Sequence, residues 1–434
     1  MYLVKSKWIV SSNNKVIEDG GILIDKGKIK KVLEDISETN SLANIEIIDY
    51  EDSILMPSFT NAHTHLYGIL SWGIPKLDNF NDFEGFLKVF WWPLIEDRLT
   101  KKEFVLTTKS SCLDMISSGV TAFCDTAEGP LTEEDTLEAQ AEVVEEFGLK
   151  AILSLESSER INWENGIKCL NQNQNFTEST KNSKNIKGCI CTHTTFTCSK
   201  KFITEAKKLA RENNTFLQFH LSESIYEKNY TLKNFGLTPV EYLDKLNVLD
   251  ENTLMSQCVK VDSKEIDIIK KSKCNVVHNP ISNCEVGGGI APVQEMLDKG
   301  INVALGTDGY VNDFFEVMRF AFLIHKANLE NTEVMSAKDV FKMATENGAK
   351  ALGFNQGKLE KGYDADFIVI EDMFSTPLNR ENIYDLIVVK GEKRMIKDVY
   401  ISGKKHNRKD IENEKDKMRY EIKELATSFW GGIK

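Results

Sequence analysis

Leu55-Met56-Pro57-Ser58-Phe59-Thr60-Asn61-Ala62-His63-Thr64-His65 is the stretch from which this chain is read. It carries an apolar run too short for a helix and ends in two histidines two residues apart. Side chains alternate along a β-strand, so His63 and His65 project to the same side as a ready pair of metal ligands. Two imidazoles are not a site, since a catalytic ion is held by at least three protein ligands with one position left open. The missing ligands are found far along the chain, at His220 and Asp308.

Outward from that stretch, eight apolar segments rich in β-branched residues follow one another at 54–63, 120–123, 151–155, 189–191, 216–219, 254–255, 276–277 and 303–305. Helical patterns lie between most of them, for example at 137–147, 202–211 and 263–271. Strand and helix in eightfold alternation predict a (β/α)₈ TIM barrel over residues 55–359, with its active site at the carboxyl ends of the strands. His63, His65, His193, His220, Gln257, His278 and Asp308 all fall at such ends. Short strands separated by turns, such as Ser11-Ser12-Asn13-Asn14, fill residues 1–54 and return at 365–370, 386–389 and 399–403 within the final segment, 360–434. The two chain ends are therefore expected to build one flanking β domain. The charge-rich tail 404–424 reads as a solvated helix.

Between the first two strands, residues 80–92 place Phe83, Phe86, Leu87 and Phe90 at helical spacing, with Trp91-Trp92 behind them. This is an amphipathic helix packed on the barrel or a subunit partner, and also a lid whose aromatics can stack on a flat heterocycle. A homodimer is the expected assembly.

Composition narrows the function. Of 434 residues, 41% are apolar and 28% charged, as in an ordinary globular protein with a large core. No apolar run approaches the ~18 residues of a membrane helix, and the first residues lack a secretory pattern, so the expected location is the cytoplasm and no membrane partner is expected. A net charge of -12 disfavours nucleic acid. Nine cysteines without an export signal predict buried free thiols, and Cys189, Cys191 and Cys198 around His193 match no common zinc spacing.

His63, His65, His220 and Asp308 can ligate one divalent metal at the barrel mouth and leave a position for water, which the ion acidifies to a hydroxide nucleophile. Glu223, three residues after His220, can shuttle a proton to a ring nitrogen or leaving group, and Asp308 can take the proton of the water.

The run 56–65 resembles the first metal motif of the amidohydrolase superfamily, in the cytosine deaminase-like branch with triazine hydrolases, guanine deaminases and adenosine-derivative deaminases. His193-Thr194-Thr195-Phe196-Thr197-Cys198-Ser199 is similar to its fourth-strand substrate motif, and His220-Leu221-Ser222-Glu223 to its fifth. His278-Asn279-Pro280-Ile281-Ser282-Asn283 and Ala304-Leu305-Gly306-Thr307-Asp308-Gly309 resemble strands seven and eight. Trp91-Trp92 and the run 307–313, which includes Tyr310-Val311-Asn312, look most like SsnA-type aminohydrolases. The resemblance spans essentially the whole chain. It implies one zinc or iron on His63, His65, His220 and Asp308, Glu223 as proton shuttle, and a flanking β-sandwich. It also implies substrate contact by His193, with Trp92 and His278 as further candidates. Two positions depart from the pattern: Gln257 replaces the usual strand-six histidine, and Trp72-Gly73 replaces an arginine-glycine. An amide at Gln257 can hydrogen-bond the attacking hydroxide or the developing oxyanion but cannot titrate.

The expected activity is hydrolysis of a carbon-nitrogen bond, foremost deamination of an amino-substituted purine, pterin or pyrimidine. Opening of a cyclic amide is the alternative within enzymes. A metal-binding barrel without turnover, serving assembly, is the alternative outside them.

Overall fold

The computed structural model describes residues 1–11, 15–35, 45–74, 82–309 and 313–431. The turn residues 12–14, Phe80 at the start of the aromatic segment, and Tyr310 to Asn312 of the strand-eight motif lie outside them.

Four strands open the chain: β1 (Tyr2–Val10), β2 (Val16–Asp25), β3 (Lys28–Leu33) and β4 (Glu46–Pro57). The barrel strands follow as β5 (Phe59–Thr64), β6 (Val120–Ala127), β7 (Lys150–Leu155), β8 (Ile186–Gly188), β9 (Ile190–Cys191), β10 (Leu217–Leu221), β11 (Thr253–Gln257), β12 (Asn275–His278) and β13 (Asn302–Leu305). β14 (Phe367–Glu371), β15 (Ile396–Ile401) and β16 (Lys404–Asn407) complete the set. β8 and β9 are one barrel strand divided at Cys189: the first half pairs with β7 and the second with β10, all in parallel. The (β/α)₈ TIM barrel thus consists of a four-stranded arc, β5 to β8, and a five-stranded arc, β9 to β13. Bridges at Ser157–Thr192 and Thr64–Asp308 join the arcs. At the second seam His63 accepts from the N–H groups of Thr307 (3.0 Å) and Asp308 (3.1 Å), while His65 N–H donates to Asp308 (3.2 Å).

Both chain ends build the flanking β unit, as expected, with seven strands in the order β16-β15-β14-β4-β1-β2-β3. β1 and β4 are parallel and the other pairs antiparallel. Val4, Ile9, Ile22, Leu55, Phe367, Val369 and Tyr400 share one core there.

Three expectations change. Ile54, Leu55 and Met56 belong to this sheet, opposite Ile370, Val369 and Ile368, and the first barrel strand starts only at Phe59. The residues from Ile54 to Asn61 are all buried, so the run carries no alternation to mark where one sheet ends and the next begins. Residues 386–389 are not a strand but part of the helix Ile383–Lys390, since Ile383 and Ile387, and Tyr384 and Val388, are buried in pairs four apart. The tail forms the helix Arg408–Gly431, yet it is solvated on one side only: Ile411, Met418, Leu425 and Phe429 are buried. All nine cysteines are free and eight are buried, Cys284 being exposed. Among the described residues, no helix is long and apolar enough to cross a membrane.

Candidate active site

The carboxyl ends of the barrel strands surround a cavity. His65, His193, His220, Gln257 and Asp308 all reach it, so five side chains chosen from strand-end positions converge in space together with Glu223. His63, His65 and His220 form a compact trio in which one ring nitrogen from each lies within 4.8 Å of the other two. His65 has one nitrogen, Nδ1, committed to the Thr126 carbonyl at 2.8 Å, which leaves Nε2 to face Asp308 Oδ1 at 3.0 Å.

Asp308 and Gln257 leave their strands with φ of 56° and 81°, a left-handed backbone that costs a non-glycine residue roughly 1–3 kcal/mol. The gain is that the two side chains meet. Gln257 Nε2 donates to Asp308 Oδ2 at 2.6 Å, and Ser282 donates to the same oxygen at 2.8 Å. The Gln257 amide is oriented in turn by Asn279 Nδ2 (3.0 Å) and Asn283 Nδ2, which both donate to its oxygen. Asn61 pins the turn before Asp308, bonding the Thr307 hydroxyl (2.8 Å) and N–H (3.2 Å).

Electrostatics follow from this packing. Burial opposes the charge on Asp308, but the His65 hydrogen bond and the charges of His65, His63 and His220 outweigh it and hold the carboxyl below the ordinary range. Burial likewise opposes a cation at His65, yet Glu128 and Asp308 raise its pKa to about 10. A field that holds a proton so firmly also favours a metal ion. Glu223 is moved the other way: burial, then Asp308, Glu227 and Glu128, push its carboxyl well above the usual range. His193 is neutral, brought down to about 3 by burial and by His220, with Nδ1 engaged by Thr197 Oγ1 at 2.9 Å.

Do these residues fit a divalent ion? Both ring nitrogens of His63 are buried with no hydrogen-bond partner, a condition that costs about 1–3 kcal/mol for each unsatisfied polar group. A cation accepting the ring's lone pair relieves one of the two. Three imidazoles and a carboxylate are also a suitable donor set for a borderline ion, so the site fits a metal.

Comparison with known proteins gives the family. The model of the amidohydrolase family matches residues 54–405. The chain belongs to the amidohydrolase family. It is 32% identical over 412 residues to a 5-methylthioadenosine/S-adenosylhomocysteine deaminase of Carboxydothermus hydrogenoformans, covering 92% of this chain and 91% of the relative. It is 33% identical over 380 residues to a 5'-deoxyadenosine deaminase of Methanococcoides burtonii, covering 85% and 83%. The crystal structure of an adenosine deaminase from Xanthomonas campestris with bound zinc superposes with a TM-score of 0.85 at 20% identity, covering 97% and 98%.

In this amidohydrolase two expected substrate contacts lie elsewhere. His278 is buried away from the cavity, its Nε2 3.0 Å from that of His325, because the end of β12 faces the helix Phe314–Leu329. Trp92 packs edge-on to His193 with Arg160 stacked 4.8 Å from its ring, and it is Trp91 that lines the cavity with Phe83, Phe86 and Leu87. Gln257 is where the sequence placed it, but its amide is engaged with Asp308. Sequence reasoning missed Glu96, Glu128, Glu156 and Glu227. Glu128 and Glu156 each follow directly on a barrel strand, β6 and β7, the position from which they could have been read. Glu227 accepts from Thr195 Oγ1 (2.6 Å), Thr195 N–H (3.2 Å) and Ser222 N–H, and so ties the loop of His193 to that of Glu223.

Proposed function

We propose that this amidohydrolase is a metal-dependent hydrolase that deaminates an amino-substituted nitrogen heterocycle of purine, pterin or pyrimidine type. The observation that carries the reading is a three-imidazole trio, two of whose rings line one cavity together with a carboxylate, a second carboxyl pushed above its usual range, and an aromatic wall. His63, His65, His220 and Asp308 would hold the ion, with zinc favoured by the zinc-bound adenosine deaminase of the same fold. Its chemistry, when bound, is to acidify water and so make a nucleophile available near neutral pH.

The rest is done by the chain. Glu223, its carboxyl pushed above the usual range by burial and neighbouring carboxylates, can carry a proton to a ring nitrogen or to the departing amine. Gln257 and Ser282 fix the direction of Asp308. His193, neutral and held by Thr197, presents its other nitrogen to the substrate. Phe83, Phe86, Leu87 and Trp91 exclude water, and the three aromatic rings among them offer flat surfaces to a planar ring. The names of the two relatives point to an adenine ring among the possible substrates.

The test is a screen of heterocyclic amines and cyclic amides for ammonia release and ring opening, with the metal content of the protein measured beforehand. Ammonia from at least one amino-heterocycle, lost in His220→Ala, is the expected result. Ring opening without ammonia would move the function to cyclic amides, and fully metallated protein inert on the whole panel would overturn the enzymatic reading.

A further inference from the structure

One wall of the cavity has more acceptors than the metal and its chemistry require. Among the described residues lining it, Glu96, Glu128, Glu223 and Asp308 carry carboxyl groups, and none is a lysine or arginine. Arg160 lies behind this wall and is engaged by Glu96 Oε2 at 2.9 Å and Asp97 Oδ1 at 2.8 Å. Asp308 and Glu223 are occupied by the reaction proposed above. Glu128 is not.

Its Oε2 accepts from the Tyr67 hydroxyl and, at 3.4 Å, from the Trp91 indole. Its Oε1 lies 3.7 Å from His65 Nδ1 and 3.8 Å from His220 Nε2, both beyond hydrogen-bond length, and that His65 nitrogen already serves Thr126. Glu156, buried on the same side, has an oxygen with no hydrogen-bond partner, 3.8 Å from His220 Nδ1. Glu96 and Glu156, whose carboxyls are pushed well above the usual range by burial and by Glu128, share side-chain hydrogen bonds with Glu128, so three acidic groups crowd one wall beside the aromatic residues. A ligand bearing N–H donors complements such a wall, and a cationic donor does so more strongly, because a charge-assisted bond is roughly twice as strong as a neutral one.

Resting on the deamination reading, we propose that the substrate carries a second donor group, an amino or amidine-type function that can take up a proton, and that Glu128 seats it and selects it over an oxo counterpart. The preference belongs to recognition and is measurable without turnover.

The experiment uses zinc-loaded Glu223→Gln protein and two probes of one shape, benzamidine and benzamide, followed by calorimetry or tryptophan fluorescence. Benzamidine should bind about tenfold or more tightly than benzamide, and Glu128→Gln should bring the ratio close to one. Equal binding of the two, or a ratio that survives Glu128→Gln, overturns the proposal. Should the second variant fail to fold, 4-aminopyrimidine and 2,4-diaminopyrimidine are compared on Glu223→Gln protein, and absence of a preference for the diamine overturns it equally. A benzamidine preference erased by Glu128→Gln, in a protein that releases ammonia from no heterocycle, would leave the recognition wall standing and remove deamination alone.

Discussion

The two ends of the barrel bury charge in opposite ways. At the amino ends of the strands, Lys150 enters β7 with its ammonium buried between Asp366 (2.7 Å) and Asp364 (3.0 Å), and Ser58 bonds Thr121 across β5 and β6 at 2.6 Å. Opposite charges meet there, and the pair joins the barrel to the flanking sheet. At the carboxyl ends, Glu96, Glu128, Glu223 and Asp308 gather instead around histidines, and His63 has neither nitrogen bonded. Folding alone gives no reason to assemble like charges and orphaned imidazoles at one place. The contrast teaches that buried polarity stabilises where it is paired and marks a binding site where it is left open.

The sharpest way to break the contrast is at the mouth. His220→Ala should abolish metal retention and turnover together while the protein stays folded, as metal analysis and circular dichroism would show; retained metal would move the site away from this trio. Glu223→Gln should keep the ion and lose ~10²–10⁴-fold in kcat, the usual contribution of a positioned acid-base group. At the other end the same kind of substitution should act on stability. Lys150→Met leaves Asp366 buried without its cation, and denaturant unfolding should report a loss of ~3–5 kcal/mol with the kcat of the folded fraction unchanged. An altered kcat would mean that the two ends are not independent.

Smaller effects sharpen the comparison. Gln257→Ala should weaken metal affinity about 10–100-fold, measured by chelator competition, because it frees the carboxylate it orients. A normal affinity with slow turnover would instead place the amide on the reacting atoms. Metal-free protein should also depend on pH in a definite direction. His65 has a folded pKa of about 10, above its unfolded value of ~6.5, so its contribution to stability is complete below ~6.5 and fades as pH rises towards 10. Urea midpoints should therefore fall over that range without metal and hold steady with it, since the ion takes the place of the proton.

Much of this was legible in the sequence for a geometric reason. A two-residue histidine spacing on a strand puts both rings on one side, and His220, Glu223 and Asp308 sit at or just past the ends of barrel strands, so their convergence with His63 and His65 could be read without coordinates. Trp91 and Trp92 could not be told apart. The helix widens to a five-residue turn over Phe86–Trp91, with Trp92 N–H bonding Leu87, and that extra residue shifts which ring faces the cavity. Ile54 to Met56 and residues 386–389 were misplaced because short continuous apolar runs suit a buried strand or helix equally. Glu96 sits on the segment between β5 and β6, where no periodicity singles out one acid among several.

The seam at Thr64–Asp308 has a consequence for how the molecule comes into being. The backbone groups that close the barrel there belong to the very residues that would hold the ion, and they come from strands separated by most of the chain. A nascent or truncated chain lacking β13 can therefore offer at best three imidazoles, without the carboxylate and without the hydrogen bonds that aim two of them. Metal capture on these residues would then be a late event in folding, one that reports completion of the barrel and holds its first and last strands together afterwards.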